Sequence, residues 1–383
     1  MKMAEFLVEQ WLNPMDSKAK YNFGSSCVSA FTMDELFRVT EQDEAAFLKD
    51  METMSLHYHH GDSTGSPRVK AAVCGIYEKA DLKPSDVMMT LGGTGANDIV
   101  MMGIMERDKN VVCIKPSYQQ HYDIPKSQGI ETRIVELKKE DNYALNLDDL
   151  RAAVDENTNL IVFTNPNNPI GVFMGEEKLK EIVEIASKVG AYILSDEMYR
   201  GLDENYMPSI LDFGYDKAVS VASMSKMFSM AGTRIGWICT KDKELYHNLE
   251  NRRSYNTICV GIIDEIIASI ALENFQKVWA RTRSILLPNK KMVYDWVTEQ
   301  PHLEIIGDAM GTTCLVHYDK DVYPMDSTAM AIDMMEKDQI LVTHGACFDI
   351  EYSFRVGYGA FRDRAWLAEG LEHLGAYMDS IAK

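Results

Sequence analysis

One lysine, Lys226, stands in a segment whose residue types suit covalent chemistry at an amine. Hydroxyl side chains lie three residues and one residue before it, at Ser223 and Ser225, and the guanidinium of Arg234 follows eight residues later. A lysine that forms a Schiff base with an aldehyde cofactor needs an anion-binding group nearby, because pyridoxal phosphate carries a dianionic phosphate. Ser223 and Arg234 have the donors to bind that phosphate. Taken alone, the segment also fits a surface lysine beside a salt-bridging arginine.

A glycine-rich segment, residues 92–97 (GGTGAN), lies between a predicted strand at 86–91 and a helix predicted from about Ala96. Backbone N–H groups and the helix dipole at such a junction attract phosphate. A dinucleotide fingerprint starting at Gly93 would put Asp98 where glycine or alanine is required. The segment therefore favours a site for a single phosphate over a dinucleotide site, with a plain structural turn as the remaining alternative.

Two more polar segments follow predicted strands. Residues 165–171 (NPNNPIG) contain two prolines that fix the backbone and leave the amide of Asn168 projecting. Asp196 follows the apolar residues 192–194, where an isolated carboxylate is costly without a partner. A protonated pyridine nitrogen would be such a partner, and Tyr199 could hydrogen-bond the ring hydroxyl. The alternative for Asp196 is a helix N-cap.

The elements that must position these residues are indicated by apolar patterning. From about residue 85 to 240, short apolar runs alternate with helical patterns, and Gly190 is placed to end one of the helices. Apolar strands that alternate with helices predict an α/β fold, with a mainly parallel sheet covered by helices on both faces. Ligands bind beyond the carboxyl ends of such strands. Each polar segment falls at such an end, so one shared site is predicted there.

The length of 383 residues predicts two domains. After about residue 285 the pattern changes to a smaller α+β unit, with a long helix at 286–299 and strands at 311–318, 339–342 and 353–356. We predict that residues 46–285 form the large cofactor-binding domain and residues 286–383 the small C-terminal domain. Residues 1–45 are predicted to complete the small domain.

Composition excludes several classes of function. The chain has 39 basic and 58 acidic side chains, a net charge of -19 that disfavours nucleic acid and anionic membrane as partners. The seven cysteines are scattered without a CxxC pair, so neither a disulfide framework nor a metal site is predicted. The N-terminal stretch contains two glutamates and is a poor signal peptide, and no apolar run is long enough to span a membrane. We therefore expect a cytoplasmic protein.

In order and approximate spacing, these motifs resemble the class I and II aminotransferases, the fold-type I pyridoxal-phosphate enzymes of the aspartate aminotransferase superfamily. The matching motifs are Gly95-Ala96-Asn97, the Asn-Pro-x-Asn-Pro-x-Gly segment, Asp196-x-x-Tyr199, and Ser223-x-Ser225-Lys226 with Arg234. Residues 340–348 and 354–358 are similar to the C-terminal strands of that family. The resemblance implies a seven-stranded sheet with a smaller α+β domain, pyridoxal 5'-phosphate as cofactor, and a homodimer. It also implies an L-amino acid and a 2-oxo acid as substrates.

The resemblance further implies a role for each matched residue. Lys226 would form the Schiff base and move the proton between Cα and the cofactor, Asp196 would pair with the pyridine nitrogen, and Asn168 and Tyr199 would bond the phenolic oxygen. Arg355 would grip the substrate α-carboxylate, with Asn168 beside it. The other implied cofactor contacts are the phosphate ligands Gly95, Ala96, Asn97, Ser223 and Arg234, the ring-packing Tyr118 and Met198, and Tyr58, which would reach the phosphate from the second subunit.

Some segments depart from the family pattern and leave the amino acid undetermined. Ile170 stands where threonine is usual, residues 23–29 are only similar, and residues 56–62 contain three histidines at 57, 59 and 60. We interpret these histidines as loop residues or as a polar wall on the substrate side, not as metal ligands. For Arg355, the alternative to carboxylate binding is a structural pair with Glu351.

Two other functions remain as alternatives at this stage. A carbon–sulfur β-lyase, or an amino-acid cyclase resembling capreomycidine synthase, would use the same cofactor and the same first proton removal. A ligand-sensing regulator built on this domain is the third possibility. The acidic charge and the absence of a DNA-binding extension before the domain disfavour it.

Overall fold

The computed structural model describes residues 3–58 and 61–383. The strands are β1 (Tyr21–Asn22), β2 (Val87–Leu91), β3 (Asn110–Lys115), β4 (Glu131–Glu136), β5 (Thr158–Thr164), β6 (Tyr192–Asp196), β7 (Ala218–Ser223), β8 (Ile235–Thr240), β9 (Leu303–Ile305), β10 (Thr313–Tyr318), β11 (Ile340–Leu341), β12 (Thr343–His344) and β13 (Ser353–Gly357). The helices are α1 (Leu7–Leu12), α2 (Met33–Thr40), α3 (Glu44–Thr53), α4 (Pro67–Gly75), α5 (Gly92–Ile104), α6 (Gln120–Ser127), α7 (Leu147–Ala153), α8 (Glu176–Val189), α9 (Lys243–Ser254), α10 (Ile262–Glu273), α11 (Phe275–Glu299), α12 (Ser327–Asp338) and α13 (Arg364–Ile381).

The large sheet has seven strands in the order β2-β8-β7-β6-β5-β3-β4. Strand β8 runs antiparallel to both of its neighbours, and all the other pairs are parallel. The central strands β5, β6 and β7 are almost entirely buried, because helices cover both faces. The predicted α/β fold with a mainly parallel seven-stranded sheet is confirmed.

Helix α5 begins four residues earlier than predicted, at Gly92 rather than Ala96. The glycines that suggested a turn form the first helical turn instead. Glycine is needed at this junction because the backbones of β8 and α5 approach closely. A Cβ on Gly236 of β8 would lie 2.4 Å from the carbonyl carbon of Gly92 and 2.8 Å from the nitrogen of Gly93. Without side chains here, the helix can start directly at the end of β2 and lie against β8.

The smaller sheet is antiparallel, in the order β12-β13-β10-β9. The single strand predicted at 339–342 is wrong, because the chain there divides between two partners. Strand β11 pairs with β1 in the N-terminal segment, whereas β12 pairs with β13. The long helix predicted at 286–299 is α11, which starts earlier, at Phe275.

The N-terminal segment packs against the part of the chain that carries the smaller sheet. Tyr21 and Phe23 are fully buried in an apolar cluster that includes Val356 and Leu371. The backbone N–H of Gly357 donates to the carbonyl of Phe23 at 2.7 Å. These contacts are consistent with the prediction that residues 1–45 complete the small domain. The domain boundaries at residues 45 and 285 remain predictions. Over the described ranges, no helix is both long and apolar enough to cross a membrane.

Candidate active site

A cavity of about 340 Å³ opens where β5, β6 and β7 end. The last residues of these strands, Thr164, Asp196 and Ser223, all line it. The structure thus places the polar segments at one edge of the sheet, as the strand order requires. Predicted site residues at the cavity wall are Asn97, Tyr118, Asn168, Asp196, Met198, Tyr199, Ser223, Lys226, Arg234 and Arg355.

Lys226 follows β7 and reaches into this cavity. Its amine donates to Ser26 Oγ at 2.7 Å and lies 3.5 Å from Cys27 Sγ. Desolvation lowers the pKa of the amine, but the neighbouring Cys27 and Tyr199 raise it, and the balance leaves the Lys226 pKa above its ordinary value. Sequence reasoning missed both contacts, because nothing in the pattern of residues 23–29 indicates a neighbour 200 positions away.

Asp196 is almost completely buried, with 2% of its surface exposed. Its Oδ2 accepts a hydrogen bond from Asn97 Nδ2 at 2.9 Å and lies 3.4 Å from His121 Nε2. The other nitrogen of His121 is 2.8 Å from Ser117 Oγ. No helix starts after Asp196, since residues 198–201 form a turn, so the N-cap alternative is wrong. His121 and Ser117 were missed, because each is an ordinary residue near the start of α6.

The part of the helix that faces the cavity differs from the predicted one. Gly93 and Thr94 line the cavity, whereas Gly95 and Ala96, the predicted phosphate ligands, do not. This shift follows from the earlier start of α5, which moves the first exposed N–H groups toward Gly92. Asn97 does line the cavity, but its amide donates to Asp196 rather than standing free for a phosphate.

Hydroxyl and guanidinium groups gather beside the start of α5. Ser223 Oγ accepts from the backbone N–H of Ser225, and Arg234 Nη1 lies 3.5 Å from Ser225 Oγ. A Cβ on Gly92 would lie 2.5 Å from Arg234 Nη2, so the guanidinium packs directly on the helix start. Together with the helix dipole, these donors form a site that can bind a dianion.

Arg355, on β13, is buried with 1% of its surface exposed. Nη1 donates to Asn168 Oδ1 at 3.0 Å, and Nη2 donates to the carbonyl of Gly24 at 2.7 Å. Its Nε has no hydrogen-bond partner within the described residues. Burial lowers the pKa of the guanidinium. The alternative pairing with Glu351 is wrong, because that carboxylate accepts from the backbone of Ser327 instead.

Two aromatic residues and one methionine give the cavity flat apolar walls. The ring of Tyr118 packs against that of Phe6, with centroids 5.2 Å apart, and burial raises the Tyr118 pKa. The amine of Lys226 lies 5.8 Å from the ring centroid of Tyr199. Met198 packs against the start of α5, since a Cβ on Gly93 would collide with its methyl group. These surfaces could enclose a planar ring.

Tyr58 does not line the cavity within this chain, and 66% of its surface is exposed. Its backbone carbonyl oxygen accepts a hydrogen bond from Cys259 Sγ at 2.9 Å. The predicted role of Tyr58 therefore depends on a second subunit and stays a prediction. Of the three histidines, those at 59 and 60 lie outside the described residues. Within the described part of the chain, no group of side chains suits a metal ion.

Helix α1 also contributes to the cavity, which sequence reasoning did not anticipate. Val8, Glu9 and Leu12 line one side of it. The helix is fixed at both ends, since the N–H of Leu7 donates to Gln119 Oε1 at 2.8 Å and Trp11 Nε1 donates to the carbonyl of residue 342 at 2.7 Å. The short helix carries no motif that would have identified this role.

Comparison with known proteins relates the whole chain to one group. A family model described as aminotransferase class I and II matches residues 36–374. Capreomycidine synthase of Streptomyces vinaceus is 25% identical to this chain, and the match covers 97% of this chain and 94% of the synthase. A probable aminotransferase of Arabidopsis thaliana is also 25% identical, and that match covers 83% of this chain and 74% of the aminotransferase. A pyridoxal-phosphate-dependent aminotransferase from Streptococcus suis is 34% identical, with a TM-score of 0.94 over 100% of both chains. The cyclase OrfR, 19% identical over 99% of this chain and 98% of its own, has the same fold with a TM-score of 0.85.

Proposed function

Because the chain belongs to the class I and II aminotransferases, we propose that it moves the amino group of an L-amino acid to a 2-oxo acid. One observation carries this proposal: the amine of Lys226 shares a single cavity with the carboxylate of Asp196 and the guanidinium of Arg355. An amine, an acid and a carboxylate-binding group are the parts that amino-group transfer needs.

The cofactor of this family is pyridoxal phosphate, and the residues present fit it. Arg234, Ser223, Ser225 and the start of α5 offer donors for a phosphate. The glycines at this start let the side chains of Arg234 and Met198 pack directly against the first turn of the helix. When bound, the cofactor supplies an electron sink that makes the Cα–H bond of an attached amino acid acidic.

Lys226 is the residue proposed to hold the cofactor and to carry a proton to and from the substrate Cα. Its amine already has acceptors in Ser26 and Cys27, which keep it inside the cavity. A general base must lie within hydrogen-bond reach of the proton it removes, and an amine that lines the cavity is available for that task.

Asp196 is proposed to keep a proton on the pyridine nitrogen of the cofactor. The amide of Asn97 and the ring of His121 position its carboxylate and satisfy part of its hydrogen-bonding capacity. A buried carboxylate that faces a cation is favourable, whereas an unpaired one is costly. His121 thus acts through Asp196 as a positioning residue.

Arg355 is proposed to bind the α-carboxylate of the substrate. Its unpartnered Nε is a buried donor, and leaving such a donor unsatisfied costs about 1–3 kcal/mol. A carboxylate would supply a charged acceptor for this guanidinium. Asn168 holds Nη1 from the side, so the orientation of the guanidinium is set before the substrate arrives.

A second candidate function is cyclisation or elimination on the same scaffold. The similarity to capreomycidine synthase over 97% of this chain favours it. Both reactions begin with loss of the Cα proton, and they differ from transfer in what leaves afterwards.

The experiment is a single turnover of the purified holoenzyme with a panel of L-amino acids and no 2-oxo acid. An aminotransferase should release one 2-oxo acid per site without ammonia, change the visible absorbance of its cofactor, and stop until a 2-oxo acid is added. Lys226→Ala should form no product, whereas Lys241→Ala, outside the cavity, should match the unaltered protein. Continuous release of ammonia, or a cyclic product without 2-oxo acid, would assign the second candidate instead.

A further inference from the structure

The cavity contains a second carboxylate, that of Glu9 on α1, to which the proposed function gives no task. The side chain of Glu9 forms no hydrogen bond or ion pair with residues 3–58 or 61–383. The other acid at the cavity wall, Asp196, already has Asn97 and His121 as neighbours. Glu9 is therefore an unpaired negative charge at the wall of a binding cavity.

The position of Glu9 is set by the packing of α1 and its flanks. Beyond the bonds of Leu7 and Trp11, the amide of Gln119 donates to the carbonyl of Glu5 at 2.7 Å. Val8 is buried beside Glu9, with 8% of its surface exposed. The side chain of Glu9 is exposed, but its backbone is held at several points, so its carboxylate stays at the cavity wall.

Glu9 acts electrostatically on both sides of the cavity. Its charge, after the larger effect of burial, contributes to raising the Tyr118 pKa. It also opposes the lowering of the Arg355 pKa that burial causes. Glu9 and Arg355 nevertheless form no ion pair, because the guanidinium is turned to Asn168, Gly24 and residue 343. The cavity thus keeps one unpaired negative charge together with a guanidinium that lacks a carboxylate.

We propose that Glu9 binds the cationic side chain of the amino-acid substrate, which makes amino acids with an ammonium or guanidinium side chain the preferred class. This inference rests on the proposed function, because a substrate whose α-carboxylate is bound at Arg355 must extend its side chain into the remaining cavity. Val8 and Leu12, on the same helix, offer an apolar wall to the methylene groups of such a chain. An acidic side chain in this place would face the like charge of Glu9.

The test compares each basic amino acid with a neutral analogue of similar shape. Arginine is paired with citrulline and lysine with norleucine, and kcat/KM is measured for the unaltered holoenzyme and for Glu9→Gln. The basic members should be preferred, and Glu9→Gln should lower their kcat/KM roughly two- to fivefold, mainly through KM, because it removes one solvent-exposed charge pair. The kcat/KM values for citrulline and norleucine should change little in Glu9→Gln.

Glu5→Gln is the matched control, since Glu5 is an exposed acid in the same segment that does not line the cavity. Glu5→Gln should leave the kcat/KM of each basic amino acid, relative to that of its neutral analogue, unchanged. Binding is measured separately by calorimetry on cofactor-loaded Lys226→Ala, in which turnover is blocked. Arginine should bind this variant more tightly than citrulline, and the added substitution Glu9→Gln should remove the difference.

The outcomes separate this inference from the proposed function. If transfer proceeds with neutral amino acids and Glu9→Gln affects basic and neutral members equally, the inference is overturned and the function stands. If basic amino acids bind in a Glu9-dependent way but release ammonia or a cyclic product, the inference stands and amino-group transfer is overturned. A preference for glutamate or aspartate over arginine and lysine would also overturn the inference.

Discussion

At the scale of single residues, the site depends on how a few buried polar groups are satisfied. Asp196 has the amide of Asn97 on Oδ2 and the ring of His121 at 3.4 Å. Arg355 has acceptors on both terminal nitrogens but none on Nε. Each of these charged groups is therefore positioned by its polar neighbours and left able to meet one more charged group.

Asp196→Asn tests the electrostatic role of the carboxylate. The amide keeps the shape but not the charge, so turnover should fall on the order of 10²-fold or more while the cofactor stays bound at the separate phosphate-binding end. Turnover and cofactor absorbance are measured together. Asp216→Asn, an exposed substitution outside the cavity, should have no effect. Near-native turnover of Asp196→Asn would mean that this residue is only structural.

Arg355→Lys tests recognition of the α-carboxylate. Lysine keeps the charge but loses the planar fork, so KM for amino acids should rise by roughly 10- to 1000-fold, equivalent to about 1.4–4 kcal/mol. The cofactor spectrum should change little, since Arg355 is not assigned to the phosphate. Arg362→Lys is the control, because that arginine pairs with Glu35 instead of lining the cavity. A native KM for every amino acid would transfer the role to another residue.

At the scale of elements, the junction between β8 and α5 positions the phosphate-binding end of the cavity. The two elements touch through backbone atoms, because a Cβ on Gly236 would come within 2.8 Å of Gly92 and Gly93. Backbone at this distance cannot move aside as a flexible side chain can. The first turn of α5, and the N–H groups it presents, therefore depend on a glycine in the neighbouring strand.

Gly236→Ala should destabilise the protein by about 1–3 kcal/mol, because the new methyl group forces β8 and α5 apart. It should also weaken cofactor binding by displacing the first turn of the helix. Gly232→Ala is the matched control, since no heavy atom lies within 4 Å of the added Cβ, and its effect should stay within about 0.5 kcal/mol. Urea unfolding of the two variants provides the comparison. Equal stability would contradict the packing argument.

At the scale of the whole molecule, one exposed apolar surface is formed by two segments that are distant in sequence. Leu56 and Tyr58 belong to one of them, and Tyr255 and Ile258 to the other, with exposed fractions of 77%, 66%, 89% and 50%. The contact between Cys259 and the carbonyl of Tyr58 holds the segments side by side. Exposed large apolar groups in one place are typical of an interaction surface.

We infer that this surface joins two copies of the chain in a C2 homodimer, which would carry Tyr58 to the site of the partner. Light scattering should give twice the chain mass of 43.4 kDa. Tyr58→Phe should weaken cofactor binding by roughly tenfold or more, because one hydrogen bond to a charged group is lost. Tyr255→Phe, as the control, should not. A monomer with full activity at working concentration would overturn the inference.

Local patterning predicted the mainly parallel sheet and one shared site at its edge, and the order of the motifs carried the resemblance that implied the cofactor. Apolar runs, helical periodicity and Gly190 at a helix end are properties of short stretches, and parallel strands bring their carboxyl ends to one edge. For this reason Lys226, Asp196, Asn168 and Arg234 could be assigned to one site before any contact was known.

Contacts between distant segments were decided only by the tertiary structure. The sequence does not indicate that His121 lies beside Asp196, that Ser26 meets Lys226, or that Glu9 lines the cavity. The start of α5 was misplaced for the same reason, because the neighbouring strand, rather than the helix propensity of glycine, determines it. Each of these features depends on which faces pack together across tens to hundreds of residues, and local residue pattern does not encode that choice.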